Sequence, residues 1–271
     1  MVSNMERLTF FGTGCFNNTK LGNNSGFFMV EDNLFIIDCG ETVFHSILKS
    51  GVLKYAKDIT VMVTHGHGDH VGSFTSFAFH VFYFMNKKVT LVTNNQDDIV
   101  GVFNRQMGNI TKYVKLKSTN KDGSVSFNIG CTDVNIQYVK VDHVDYLKSY
   151  GLIVNINNPL SGKDSFYYSG DSSDIKPFIL RKFERGEIEY IYQDVTFKEY
   201  ENQPHMSVYK LMEKIPAEKR DKVFCMHLDP DFDIQIAMNL GFSIPPRTTE
   251  GGVIRCQSIS GQILETILYY S

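Results

Sequence analysis

Apolar residues in this chain follow two rhythms. Short continuous or alternating runs, bounded by glycine, asparagine or aspartate, predict strands at residues 8–11, 26–30, 34–38, 59–63, 88–93, 152–156, 188–192 and 223–226. Spacing at i, i+3, i+4 and i+7 predicts helices. Phe74, Phe77, Ala78, Val81, Phe84 and Met85 make one such stripe; Val208, Leu211, Met212 and Ile215 make another, stopped before Pro216. Further helices are expected at 42–48, 97–107, 175–185 and 233–240. The segment 113–140 alternates in strand fashion around a turn at 120–123, a polar turn is expected at 157–162, and two short strands, 252–256 and 262–269, in the tail. No Pro/Ser-rich linker, repeat or low-complexity tract interrupts the pattern. The expectation is one α/β domain over residues 1–271, with strands leading and helices interleaved after them.

The polar residues that matter stand where the apolar runs stop. After the run 59–63 comes Thr64-His65-Gly66-His67-Gly68-Asp69-His70, which places three imidazoles and a carboxylate in a Gly-containing loop. Gly66 and Gly68 are expected to keep that turn clear of side chains. His143, Asp171 and His227 each follow a predicted strand. Strand ends on one edge of a sheet converge, so these three can meet the loop. One metal needs only four ligands. Seven candidates fit two: His65, His67 and His143 for one, Asp69, His70 and His227 for the other, with Asp171 bridging.

Other polar features carry less. Gly12-Thr13-Gly14 begins like a dinucleotide fingerprint, but Asn17 stands where a third glycine belongs, so it reads as a turn. His45 and His80 fall on predicted helices and read as surface or packing residues. Asp38 reads as a hydrogen-bonding support for the metal loop. Tyr146, Phe197 and Tyr200 could stack on a base, but aromatic residues are more often core, and they stay outside the expected site.

Composition narrows the setting. The 271 residues are 42% hydrophobic with a net charge of −3, which gives no case for broad nucleic-acid or membrane-surface binding. Five scattered cysteines without a CxxC pair suggest reduced thiols. The first residues show no basic-then-apolar leader, and no apolar run is long enough to span a bilayer. A cytoplasmic protein is expected.

The loop His65-x-His67-x-Asp69-His70, followed in order by His143, Asp171 and His227, resembles the metallo-β-lactamase superfamily over essentially the whole chain. The resemblance implies an αββα sandwich, two mixed β-sheets flanked by helices. It implies two divalent metal ions, usually Zn2+, with Mn2+ or Fe2+ in some relatives. Within that superfamily the chain is most similar to the branch of tRNA-3′-processing and cyclic-nucleotide phosphodiesterases. Asp142-His143 with Ser149-Tyr150-Gly151, Tyr168-Ser169-Gly170-Asp171, and Asp194-Val195-Thr196 followed by His205 carry that likeness. In the branch, a histidine matching His205 lies beside the scissile phosphate, steadied by an acidic residue that Asp194 would match; that residue is often Glu there. The implied catalytic group is His205, Asp194 and Asp69.

Two metals can clamp a phosphodiester and lower a water's pKa towards about 7. Two dications against two aspartates and one hydroxide leave a formal excess of about +1, suited to a monoanionic phosphodiester. The leaving alkoxide needs a proton, which His205 can supply if Asp194 stabilises the imidazolium. Only a short stretch separates His143 from Asp171, where tRNA nucleases of the branch carry a protruding arm. The last histidine is followed by Leu228-Asp229-Pro230-Asp231 in place of their usual segment. The expected substrate is therefore a 3′,5′-cyclic mononucleotide. The resemblance extends to viral anti-Pycsar enzymes, which destroy cyclic pyrimidine signals of bacterial defence. A tRNA 3′-end endoribonuclease and a non-catalytic binding protein on the same fold are the alternative readings. Relatives of this kind are often homodimers; a homodimer without membrane or stable nucleic-acid partner is expected.

Overall fold

The computed structural model describes residues 8–160 and 162–248 in full, with the backbone of two further strands at 253–257 and 263–267. The first half of the chain runs β1 (Thr9–Gly12), β2 (Ser25–Val30), β3 (Asn33–Ile37), α1 (Val43–Ser50), β4 (Asp58–Met62), α2 (Gly68–Val71), α3 (Phe74–Met85), β5 (Val89–Val92), α4 (Gln96–Met107) and β6 (Val114–Lys117). The second half runs β7 (Ser124–Ile129), β8 (Thr132–Lys140), β9 (Tyr150–Asn158), β10 (Gly162–Tyr168), α5 (Pro177–Glu184), β11 (Tyr190–Thr196), β12 (Met206–Ser207), α6 (Val208–Lys214), β13 (Val223–Met226), α7 (Ile234–Asn239), β14 (Arg247–Thr248), β15 (Val253–Gln257) and β16 (Ile263–Ile267).

Two mixed sheets result. One has the order β16-β15-β14-β1-β2-β3-β4-β5-β6; the other runs β12-β11-β10-β9-β8-β7, with β13 also paired to β11. Their facing sides share a core that includes Phe10, Phe35, Ile37 and Met62 from the first sheet and Val154, Phe166, Tyr168, Tyr192 and Met226 from the second. The outer face of the first sheet packs under α1, α3 and α4 through Ile36, Val61, Ile47, Phe74, Phe77 and Phe103. The outer face of the second packs under α5, α6 and α7 through Tyr167, Ile191, Ile179, Leu211 and Ala237. The layers are therefore α/β/β/α. Strands β4 and β5 are covered on both faces, which is why they read as unbroken apolar runs.

Local chemistry sets the helix bounds. Pro177 opens α5, where its missing N–H costs nothing. The Asp233 carboxylate caps α7 by accepting from the Gln235 and Ile236 amides, and the Ser207 hydroxyl caps α6 by accepting from Lys210 N. The segment 113–140 divides into three strands, because Gly130 in the left-handed region adds a second turn beyond the expected one. The expected polar turn at 157–162 is shorter, since β9 continues to Asn158 and β10 starts at Gly162. Of the two tail strands, β15 and β16 cover the central parts; the rest of 252–269 lies outside the described residues.

Pairing directions gather the strand ends. β3 and β4 are parallel, as are β10, β11 and β13; β8 runs with β10 because each is antiparallel to β9. Within each sheet these strands end on one edge, and there the chain places Asp38, the 64–70 segment, His143, Asp171, Asp194 and His227.

Candidate metal centre

Asp38 anchors the first half of the site. It leaves β3 with φ at 63°, a conformation non-glycine residues seldom adopt and one common among strained functional positions. Its buried carboxylate accepts from Thr64 N at 2.8 Å, from Thr64 Oγ1 at 2.7 Å and from His70 Nδ1 at 2.8 Å. One aspartate thereby fixes both ends of the histidine segment. Asp69 and His70 lie in α2, a short helix, where the sequence suggested a loop. The close packing also falls elsewhere than at Gly66 and Gly68, whose nearest obstacles to an added Cβ are side-chain atoms at 3.4 and 3.1 Å. At Gly40 a Cβ would lie 1.8 Å from the Asp69 carbonyl oxygen. Gly40 is what lets α2 sit against the end of β3.

The second half contributes through turns. His227 follows β13 with φ at 57°, and Leu228 exchanges backbone bonds with Thr13 and Cys15 in the loop after β1. The Gly12-Thr13-Gly14 turn is thus a packing surface for the His227 segment; a Cβ on Gly12 would meet Asn23 O at 2.4 Å.

All seven candidate ligands come together in two overlapping groups. His65, His67, His143 and Asp171 form one; Asp69, His70, Asp171 and His227 form the other. In the first, His65 Nε2 is 3.1 Å from His67 Nδ1, and His143 Nε2 is 3.3 Å from the same atom. Asp171 Oδ2 stands 3.7 Å from His65 Nε2 and 3.8 Å from His143 Nε2. In the second, Asp69 Oδ2 is 3.6 Å from His70 Nε2 and 3.2 Å from His227 Nε2. Asp171 Oδ1 is 3.1 Å from His70 Nε2 and 3.4 Å from His227 Nε2. Each oxygen of Asp171 faces a different group.

These separations suit metal ions. Four donors at 2.0–2.1 Å around a tetrahedral centre stand about 3.4 Å from one another. His70 Nε2 and Asp171 Oδ1 are buried without a hydrogen-bond partner, although only 3.1 Å apart, since their alignment is poor. Two orphaned buried polar atoms aimed into a common space fit a cation between them. The remaining ring nitrogen is hydrogen-bonded in four of the histidines, His65 Nδ1 with Thr64 Oγ1, His67 Nε2 with Tyr146 Oη, His70 Nδ1 with Asp38 and His143 Nδ1 with Pro204 O, while His227 Nδ1 faces Asp194 Oδ1 at 3.3 Å. Such outer bonds select the tautomer that leaves the inner nitrogen free to ligate. Imidazole and carboxylate donors without a thiolate suit zinc, iron or manganese.

The electrostatics match. Burial holds His65 well below the usual imidazole range, and the neighbouring His70 adds to this. Burial also disfavours charge on His70 and His227, but carboxylates led by Asp171 outweigh it and lift both well above that range. The Asp171 carboxyl, despite its own burial, is held well below the usual range by His227 and His70. The cluster is built to hold positive charge around Asp171.

Asp194 and His205 stand beside it. The parallel pairing of Val195 with Met206 brings their preceding residues together, and Asp194 Oδ2 lies 2.6 Å from His205 Nδ1. The shorter aspartate reaches the imidazole fully. Asp194 also accepts from Ser172 N at 3.0 Å, and its Oδ1 faces His227 Nδ1 at 3.3 Å. It faces two histidines at their outer nitrogens, so the grouping Asp171, Asp194, His205 and His227 reads as support for the centre and not as a third ion site. The His205 ring is 26% exposed, 5.0 Å from His227 and 5.3 Å from His143. Burial alone would lower its pKa, but Asp194 raises it above the ordinary value.

Residues set aside in the sequence divide. His45 is exposed on α1, and His80 stacks on Phe84 with Phe44 tilted against it. Phe197 packs on Phe232, and Tyr200 is exposed. Tyr146 is the correction: it is not core but 79% exposed, with its hydroxyl 3.1 Å from His67 Nε2. Only its closeness in sequence to His143 hinted at this.

A four-layered sandwich with paired His/Asp clusters along one edge defines a protein of the metallo-β-lactamase fold. Its overall shape is similar to the metallo-beta-lactamase fold protein YhfI from Bacillus subtilis, with a TM-score of 0.64 at 16% identity over 96% of this chain and 98% of that one. The family profile described as "Anti-Pycsar protein Apyc1" matches residues 6–242, and the chain belongs to that family. Curated relatives include anti-Pycsar protein Apyc1 of Paenibacillus harenae, 23% identical over 82% of this chain and 89% of the relative. The protein of that description from Bacillus phage BSP38 is 23% identical over 82% and 88%.

Proposed function

We propose that this chain is a metal-dependent phosphodiesterase that opens 3′,5′-cyclic mononucleotides, cyclic pyrimidine nucleotides among them, and so removes an immune signal. The observation that carries the reading is the Asp194–His205 pair at 2.6 Å, set beside the two ligand groups. Membership of the anti-Pycsar family supports it.

His65, His67 and His143 would hold one divalent cation, Asp69, His70 and His227 the other, with Asp171 shared. When bound, such a pair supplies charge neutralisation at the phosphate and a nucleophile at neutral pH. The chain's own residues do the rest. Asp194 accepts from His205 Nδ1, which favours the imidazolium and leaves Nε2 as the nitrogen available to substrate. Water supplies the oxygen that joins phosphorus, and one P–O ester bond breaks. The departing ribose oxygen takes the proton from His205, one proton of the water restores the imidazolium, the other passes to solvent, and the product is a linear monoester. Between His143 and Asp171 the described residues form only the β9–β10 hairpin and its flanking turns, which favours a compact nucleotide over a tRNA. The same proposal includes zinc as the metal, a homodimer and a cytoplasmic setting.

The test offers protein of measured metal content 3′,5′-cyclic nucleotides, linear dinucleotides and precursor tRNA, each with and without chelator. Chelator-sensitive ring opening is the expected result. Cleavage of precursor tRNA with cyclic nucleotides left intact would replace this reading with the endoribonuclease one.

A further inference from the structure

Each of the five histidines in the two ligand groups has a polar partner facing its outer nitrogen, but the partners differ in kind. Thr64, Asp38, Asp194 and the Pro204 carbonyl belong to the folded body. The partner of His67 is Tyr146, on a turn between β8 and β9. The base of that turn is pinned: Val141 N donates to Ser149 O at 3.1 Å, Ser173 N donates to Asp142 O at 2.8 Å, and Lys176 pairs with the Asp142 carboxylate. Its tip presents the phenol ring to solvent.

The ring extends a series. Centroids step from His227 to His205 at 5.0 Å, to His143 at 5.3 Å, to His67 at 5.1 Å and to Tyr146 at 6.0 Å. Among these rings Tyr146 alone carries no ligand or proton-transfer role, and it has a broad apolar face turned to water. In a cyclic nucleotide the base stands one sugar away from the phosphorus. A phosphate held between the two ligand groups therefore has its base within range of a ring that begins at His67.

We propose that Tyr146 contacts substrate: its ring forms the wall on which the nucleobase stacks, while its hydroxyl accepts from His67 Nε2–H and fixes that imidazole to ligate through Nδ1. The stacking half rests on the function proposed above; the His67 half does not. One side chain then couples base binding to the position of a metal ligand.

The two halves separate by substitution. Tyr146→Phe keeps the ring and removes the oxygen. Zinc-loaded protein of this variant is expected to lose its metal to a competing chelator with affinity weakened by about 10- to 100-fold. Tyr146→Ala removes both. Its KM for a cyclic nucleotide is expected to rise by about 5- to 150-fold, the range for losing one base stack, with no matching change for ribose 3′,5′-cyclic phosphate, which has no base. Equal losses on the two substrates, or an unchanged KM, would overturn the stacking wall. Metal release from Tyr146→Phe at the unaltered rate would overturn the tether. If the unaltered chain opens no cyclic nucleotide at all, the proposed function and the stacking wall fall together, and the metal-release comparison still decides the tether.

Discussion

Asp194 Oδ2 lies 2.6 Å from His205 Nδ1, and the parallel register of β11 and β12 puts it there. In the proposed reaction, a short strand of two residues would thus position the proton donor. His205→Ala should lower kcat for cyclic-nucleotide hydrolysis by about 10²–10⁴, the usual contribution of a general acid, while metal content measured on the purified variant stays unchanged. Full turnover in this variant would remove the donor assigned here.

With His205 as the proposed acid, the same pair should set a pH limb. Burial pushes the His205 pKa down, but Asp194 more than compensates and holds it above the ordinary imidazole value. A general acid must hold its proton, so activity is present below that pKa and falls as pH rises through it. Asp194→Asn removes the main raising influence and leaves burial in place. The descending limb of its pH–rate profile should move to lower pH.

Asp38 accepts three hydrogen bonds in full burial, one of them from His70. Asp38→Ala leaves three buried donors, Thr64 N, Thr64 Oγ1 and His70 Nδ1, without their acceptor, at about 1–3 kcal/mol for each that stays unpaired. Urea unfolding of metal-loaded protein should show a loss of this order.

Gly40 and Gly66 offer a contrast. Gly40→Ala forces a Cβ to within 1.8 Å of the Asp69 backbone, whereas the nearest atom to one at Gly66 is the flexible tip of Ile99 at 3.4 Å. The first variant should lose both thermal stability and metal; the second should keep both. Thermal melts paired with metal analysis would check this.

Ions bound to the native fold and absent from the unfolded chain add stability by mass action, about 2.7 kcal/mol per site at a free concentration of 100 Kd. Chelation should lower the Tm, and restoring zinc or manganese should recover it.

Much of this arrangement is legible in the sequence because the ligand-bearing positions follow apolar runs. His227 directly follows β13, and the run before His65 is unbroken because β4 is buried on both faces. Three features are not legible in the residue pattern itself, the first of them expected only through the family resemblance. The Asp194–His205 contact depends on pairing register across an irregular loop, which no periodicity reveals. The need for glycine at 40 arises from a carbonyl far along the chain, whereas Gly66 and Gly68 draw notice only through their place beside histidines. Tyr146 occupies a non-repeating turn, where a solvent-facing ring cannot be told from a packed one.

Each candidate ligand group draws two residues from the segment 65–70 in the first half and the others from the second: His143 with Asp171, or His227 with Asp171. Neither half alone could close a coordination shell. The cations would act as stitches across the seam where the halves meet, so metal uptake reports that the halves have docked. Two separately expressed fragments, 1–120 and 121–271, would regain tight zinc binding only on reassociating.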